Sequence, residues 1–432
     1  MMPQQPRLAV SIAAAASAIM LLANTVACAE DCGPSFNAGG PDAAAYGADR
    51  NYPVGNPRQY RLQPFMVGSF SHFDQVRPGP VVATGATPSP LERDCRAFTL
   101  SYEIDGQRYS LEDYLARNPT TGLLIARGST ILVERYQYGR RDTDRFLSQS
   151  MAKTITAMLF GIALNDGKIH SLDDLAQDYV PELRGSAYGE TSLRALLTMS
   201  SGVAYSETYD GTDDASKFGR DLFRADMPGA AALLRRYNER EVPQGTRFHY
   251  AGSETETLGL VLAAATGRSL PDYASERLWR PMGAEADAAW AVDRNGQALA
   301  FCCFSARLRD YARLGLLLAN DGGGIIPASW VIEATSVPAE SYRAPRRATP
   351  FDGYGYQTWI LPARRRMFAL RGIHGQTIFV DPSRKLVLVH TAVRPQARDP
   401  QTRELSRLWA ALVRQIDRET PGPIPPVPTK AD

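Results

Sequence analysis

Strand-like apolar runs bounded by turn residues stand early and late in the chain, and apolar positions recur with helical spacing in between. The run Gly122-Leu-Leu-Ile-Ala-Arg-Gly-Ser-Thr-Ile-Leu-Val-Glu-Arg-Tyr136 reads as two strands about a Gly128-Ser129 turn. Residues 367–371, 376–380 and 386–390 form a late β-meander, with Asp381-Pro382-Ser383-Arg384 as one of its turns. Between these parts a polar approach, Ser148-Gln149-Ser150, turns into an apolar helix that ends at Asp166-Gly167. Helical pieces follow at 172–179, 192–199, 230–237 and 255–265, and a last amphipathic helix spans 402–418. Strands at both ends of a helical middle describe an α+β protein: an antiparallel sheet flanked by terminal helices, with a helical lobe inserted. The cleft between sheet and lobe is the natural place for a site, and Ser150 opens the first helix after the sheet begins.

The remaining segments carry little periodicity. Residues 1–29 have the form of an export signal: Arg7, an apolar run over 8–22, and Ala27-Cys28-Ala29 as a small-residue cleavage site. Val26-Ala27-Cys28 also fits lipoprotein processing, which would leave an N-terminal lipid anchor on Cys28, although Thr25 stands where an aliphatic residue is usual. A periplasmic or secreted protein is therefore expected, free or tethered at its start. Residues 30–95, rich in Gly, Pro and Asn, read as an irregular N-terminal extension; 96–418 form one domain, and 419–432 a Pro-rich disordered tail.

Composition narrows the function. The 432 residues are 44% hydrophobic and 22% charged with a net charge of +2, which suits a globular chain with ample core. No basic tract points to nucleic acid. Export would place the cysteines in an oxidising compartment, where Cys32 and Cys95 are expected to pair and pin the extension. Adjacent Cys302 and Cys303 are expected to pack as small apolar residues, because a vicinal ring is strained. No Cys/His grouping has zinc spacing, and neither His-Glu-x-x-His nor Gly-x-x-x-x-Gly-Lys occurs, so no metal or cofactor is expected.

The chemistry centres on Ser150-x-x-Lys153. Residues three apart share a helix face, so the Lys153 amine can reach the Ser150 hydroxyl. A serine hydroxyl needs such a base to take its proton, and a lysine serves only where burial or nearby cations favour the neutral amine. With 27 serines and 5 lysines in the chain, this spacing alone also fits an ordinary amphipathic helix.

Further motifs decide between the two. Ser150-Met-Ala-Lys153, Leu196-Leu-Thr-Met-Ser-Ser-Gly202, the tyrosine of Phe248-His-Tyr250, Leu258-Gly259 and Gly372-Ile-His-Gly-Gln376 follow one another at characteristic spacing. Together with Cys302-Cys-Phe-Ser-Ala-Arg-Leu-Arg-Asp-Tyr-Ala-Arg-Leu-Gly315 they resemble the serine β-lactamase superfamily, nearest to nylon-oligomer (6-aminohexanoate-dimer) hydrolases and class C-like esterases, over roughly residues 96–418. The resemblance implies a β-lactamase/transpeptidase-like fold. It assigns Ser150 as the acylated nucleophile, Lys153 as base or proton relay, and Tyr250 as the second proton carrier. The oxyanion hole would be the backbone N–H groups of Ser150 and Gln376, with Gly375 allowing close approach and His374 lining the site. Ile373-His374-Gly375 would stand where β-lactamases carry Lys-Thr-Gly, and an isoleucine cannot attract the carboxylate of a β-lactam. Tyr250-Ala251-Gly252 likewise lacks the asparagine of the Tyr-x-Asn motif. Tyr209 and Trp359 are candidate pocket walls, each with a packing role as its alternative. Asp210, Asp213 and Asp214 read as a solvated loop rather than a site for a cationic amine. The expected partner is a small ester or linear amide; the alternatives are a β-lactamase or D,D-peptidase, or a non-catalytic cell-wall or protein-binding member of the fold.

Overall fold

The computed structural model describes residue 1 and residues 32–224, 226–338, 351–398, 402–420 and 422. The signal-like segment 2–31 and almost all of the Pro-rich tail therefore lie outside the described residues. Among those described, no helix is long and apolar enough to cross a membrane.

Among the described residues nine strands build the main sheet: β1 (Ser35–Phe36), β2 (Glu92–Arg93), β3 (Thr120–Arg127), β4 (Thr130–Tyr136), β5 (Gly353–Tyr354), β6 (Trp359–Ile360), β7 (Phe368–Gly372), β8 (Gln376–Asp381) and β9 (Leu386–Ala392). Their order is β1-β4-β3-β9-β8-β7-β6-β5, with β2 also pairing with β4. All neighbours are antiparallel except β1 and β2, which run parallel to β4. The hairpin β3–β4 and the meander β7–β8–β9 fall where the strand-like runs and their turns place them. They join through β3 and β9, with Leu124 opposite Val389.

Alternation sends successive side chains of β3 to opposite faces. Leu124 and Ala126 enter one apolar cluster with α3 (Ala152–Asn165), α5 (Gly252–Thr266) and α6 (Leu308–Ala319). Leu123 and Ile125 enter a second with α2 (Leu111–Arg117) and the C-terminal helix α7 (Thr402–Glu419). There the Trp409 ring stacks on Phe379 of β8 at 5.2 Å, a contact worth about 1 kcal/mol beyond its burial. The expected helical pieces at 172–179, 192–199 and 230–237 are present but shorter, as in α4 (Leu193–Leu197), capped by the Ser192 side chain, whereas the piece at 255–265 is longer, as α5.

Two expectations are corrected. Residues 30–95 are not simply irregular: α1 (Gln63–Ser71) buries Met66, Val67 and Phe70, and Tyr46 donates a 2.7 Å hydrogen bond to Val393 O. Helix α1 is apolar on every side, so it shows no amphipathic stripe and passes for a loop among prolines and glycines. The Cys32–Cys95 disulfide is present, and so is a bond between Cys302 and Cys303, which had been expected to stay reduced.

Candidate active site

Ser150 is delivered by a short strand and a strained turn. Phe146–Leu147 pairs with Phe304–Ala306 in a small separate sheet. The chain then turns sharply at Gln149, whose φ of 46° is left-handed and costs about 1–3 kcal/mol for a residue with a side chain. Gln149–Met151 form a 3₁₀ turn that leads into α3. Such strain persists only where the surroundings over-determine it. Here Ser148 N–H donates to Phe304 O at 2.7 Å, and Phe304 N–H donates to Ser148 Oγ at 3.1 Å.

Lys153, in the first turn of α3 and 1% exposed, puts Nζ 3.0 Å from Ser150 Oγ and 2.9 Å from Phe301 O. A carbonyl can only accept, so one N–H of the amine is committed to Phe301, which aims the nitrogen at the serine. Tyr250 lies just before α5, with its ring stacked on Trp359 at 5.6 Å and edge-on to Tyr354 at 6.0 Å. Lys153 Nζ sits 5.1 Å from the centroid of the Tyr250 ring. Ser150, Lys153, Tyr250 and Trp359 are thus brought together.

Beneath them α5 carries two fully buried acids that the sequence analysis missed. Glu254 Oε1 accepts from Ser201 N–H at 3.2 Å and from Ser201 Oγ at 2.6 Å, fixing the Leu196–Gly202 motif against the helix. Glu256 Oε2 accepts from Ala300 N–H at 2.9 Å, beside the Phe301 carbonyl that holds Lys153. Burial pushes both carboxyls up to about 8, with Lys153 opposing the rise at Glu256. They are predominantly neutral at pH 7 and act as hydrogen-bonded braces.

The turn between β7 and β8 departs from expectation. The His374 imidazole is buried, with Nδ1 2.7 Å from Arg394 O and the ring edge-on to Phe70 of α1 at 5.5 Å. Desolvation lowers its pKa to about 4, so it is a neutral packing residue rather than a lining one. A Cβ on Gly375 would meet Ala392 and Arg394, not the nucleophile. The Gln376 side chain turns to Ala392 O at 2.7 Å, and Gln376 itself is the ladder partner of Gly372 on the next strand. The residue pressed against the Ser150 turn is Gly372: a Cβ there would lie 2.5 Å from Ser148 O and 2.9 Å from Ser150 N. The strand triplet at the serine is therefore Leu370-Arg371-Gly372, and Ile373 supplies the next amide. Arg371, next to Gly372 on β7, has its guanidinium 4.7 Å from the Phe351 ring centroid, and Tyr250 lies close enough to act on its charge.

Tyr209 takes a left-handed φ of 65° and donates its hydroxyl to Glu207. Burial and the Glu207 charge hold the phenol well above its usual range. Glu207 also accepts from Gly252 N–H at the start of α5, and the exposed Arg398 lies 5.1 Å over the Tyr209 ring. Tyr209 therefore braces the entrance to α5. The nearby acids are absorbed locally: Asp213 accepts from Tyr209 N–H and caps Asp214–Asp221, Asp214 accepts from Ser206, and Asp210 from Thr208 and Thr212. Among the described residues no group of three His, Cys, Asp or Glu could hold a metal ion.

Known proteins share this arrangement of elements. The sequence profile of the Beta-lactamase family matches residues 111–411. A 6-aminohexanoate-dimer hydrolase of Paenarthrobacter ureafaciens is 27% identical over 361 residues, covering 81% of this chain and 90% of that one. A Bacillus anthracis structure described as a candidate 6-aminohexanoate-dimer hydrolase superposes with a TM-score of 0.75 at 23% identity, covering 84% of this chain and 97% of its own. A penicillin binding protein of Bacillus halodurans superposes with a TM-score of 0.53 at 16% identity, covering 68% of this chain and 96% of its own, which reflects shared fold.

Proposed function

Because the chain belongs to the Beta-lactamase family, we propose that it is a serine hydrolase that cleaves small carboxylic esters or linear amides through an acyl-Ser150 intermediate. The observation that carries this reading is the pair of distances at Lys153: 3.0 Å to Ser150 Oγ and 2.9 Å to Phe301 O. Ser150 Oγ attacks the substrate carbonyl while its proton passes to Lys153 Nζ. Tyr250, beside Lys153, delivers a proton to the departing alkoxide or amine, and in the second half of the cycle takes one from the attacking water. The tetrahedral oxyanion is received by the Ser150 N–H and, in place of Gln376, by the Ile373 N–H that follows Gly372. Each such donor is worth about 2.7–4 kcal/mol. Trp359 and Tyr354 pack on the Tyr250 ring and hold it beside Lys153.

Esters are the best substrates, linear amides the second and β-lactams poor ones, since Leu370 rather than a lysine opens the strand triplet that Gly372 closes against Ser150. The name of the 27% identical relative supports a linear amide. Export to an oxidising compartment is part of the proposal, supported by the two disulfides. So is the choice between a cleaved signal and a lipid on Cys28, which the mass of the mature N-terminal peptide decides. The test of function is labelling by a fluorophosphonate together with turnover of a short-chain p-nitrophenyl ester. Absence of both, with Ser150→Ala indistinguishable from the parent, would sink the reading.

A further inference from the structure

Four residues, Phe301-Cys302-Cys303-Phe304, grip the catalytic pair from both ends. At one end the Phe301 carbonyl holds Lys153 Nζ at 2.9 Å. At the other, Phe304 exchanges hydrogen bonds of 2.7 Å and 3.1 Å with Ser148, two residues before the nucleophile. Ser150 and Lys153 share one helical turn, and this short segment holds the Lys153 amine at one end and the approach to Ser150 at the other. In its middle Cys302 and Cys303 are joined to each other, closing the peptide between them into a small ring, and Cys303 adopts a left-handed φ of 69°. The carbonyls around the ring are held from outside: Trp290 Nε1 donates to Cys302 O at 3.0 Å, and Ala291 N–H donates to Cys303 O at 3.1 Å. Glu256 holds the preceding Ala300 amide at 2.9 Å.

We propose that the Cys302–Cys303 disulfide is a positioning element of the catalytic pair, so that activity depends on the redox state of two residues that never touch substrate. With the ring closed, Phe301 O and Phe304 N–H stand at one fixed separation. Opening it frees the dihedrals of the intervening peptide and lets the Lys153 anchor drift from the Ser148 anchor. The opening is a thiol–disulfide exchange with a small dithiol. Its thiolate attacks one sulfur to give a mixed disulfide, and its second thiol then displaces that cysteine; two electrons and two protons pass to Cys302 and Cys303 while the dithiol becomes a cyclic disulfide. At 8% and 6% exposure the two cysteines admit only a small reductant.

The inference rests on Ser150 as nucleophile and Lys153 as its base, and the experiment separates the two claims. The Cys32→Ser/Cys95→Ser protein, in which the other disulfide cannot contribute, is assayed before dithiothreitol, after it and after reoxidation. Readouts are fluorophosphonate labelling rate, ester kcat and KM, circular dichroism, and alkylated thiols counted by mass. Reduction is expected to lower kcat and labelling by roughly ten-fold or more, the scale of a sub-ångström misplacement, with KM unchanged and recovery on reoxidation. Cys302→Ser/Cys303→Ser should match the reduced state; where that variant does not fold, the reductant series decides alone. Equal labelling in the oxidised and reduced protein, free thiols at both positions before reduction, or a loss of kcat that tracks a loss of native dichroism each overturns the proposal. Failure of the oxidised protein to label at all overturns the Ser150 reading instead.

Discussion

Gly372→Ala tests how the site is closed. The backbone there is extended, with φ of −131°, so alanine brings no conformational penalty and its methyl is the whole perturbation. That methyl would sit 2.5 Å from Ser148 O, 2.7 Å from Gln149 Cβ and 2.9 Å from Ser150 N. Two of these neighbours are backbone atoms, and the third belongs to the strained residue of the nucleophile turn. Opening 2.5 Å to the 3.4 Å of ordinary contact needs about 0.9 Å of movement between β7 and the serine turn. A displacement near 1 Å costs about 10²-fold in rate, or about 2.7 kcal/mol, similar to the loss of one oxyanion donor. Ester kcat/KM and the second-order rate of fluorophosphonate labelling should therefore both fall about 10²-fold, and the thermal midpoint should fall as well, because the methyl meets backbone that must move. Gly375→Ala is the control: its methyl meets side-chain atoms of Ala392 and Arg394 at 2.9 Å and 3.1 Å, and its φ of 96° disfavours any side chain. It should lower the thermal midpoint and spare kcat. Wild-type labelling by Gly372→Ala would show that β7 does not close the oxyanion hole.

Other expectations follow from the same geometry. Lys153→Ala should abolish acylation, whereas His374→Ala should keep the acidic limb of the pH–rate profile, because an imidazole lowered to about 4 is already neutral where the enzyme works; disappearance of the limb would make histidine the base. Tyr250→Phe should fold normally and lose about 10²–10⁴-fold in kcat, and an unchanged kcat would remove Tyr250 from the proton path. Stability should fall on both sides of mildly acidic pH. Glu254 and Glu256, raised from 4.5 to about 8, make the folded chain bind the extra protons, so their contribution is lost as pH climbs through that interval. His374 and His390, lowered from 6.5 to about 4 and about 3, act oppositely, and their contribution is lost as pH falls below 6.5. Urea midpoints across pH read both arms, and Glu254→Gln/Glu256→Gln should flatten the alkaline one; a slope unchanged by that substitution would refute the assignment.

What the sequence disclosed was whatever leaves a local or periodic mark. Strands β3, β8 and β9 read as short apolar runs because both of their faces are covered, each by its own apolar cluster. Ser150 and Lys153 were legible because one helical turn joins them. The parts that complete the site come from far along the chain and act through groups every residue possesses: the Phe301 carbonyl, the Gly372 surface and the Ile373 amide. A carbonyl carries no residue signature, so nothing marked Phe301, and the resemblance displaced the critical glycine from 372 to 375. The vicinal cysteines were misread because ring strain was weighed without the surrounding hydrogen bonds to Leu299, Cys302 and Cys303 carbonyls that hold the turn.

The pairing of β3 with β9 joins positions as remote in sequence as Leu124 and Val389. Synthesis runs from the N-terminus, so the nucleophile and its lysine leave the ribosome long before the strand that closes over them. A hydrolase working as proposed would therefore be complete only once its final meander has been added. The same division can be made by cutting. A break at the exposed Gly324, in the turn after α6, would leave Ser150, Lys153 and Tyr250 on one fragment and Trp359, Gly372 and Ile373 on the other. Neither fragment would hydrolyse anything alone, and turnover of a chromogenic ester would then report that the two had met.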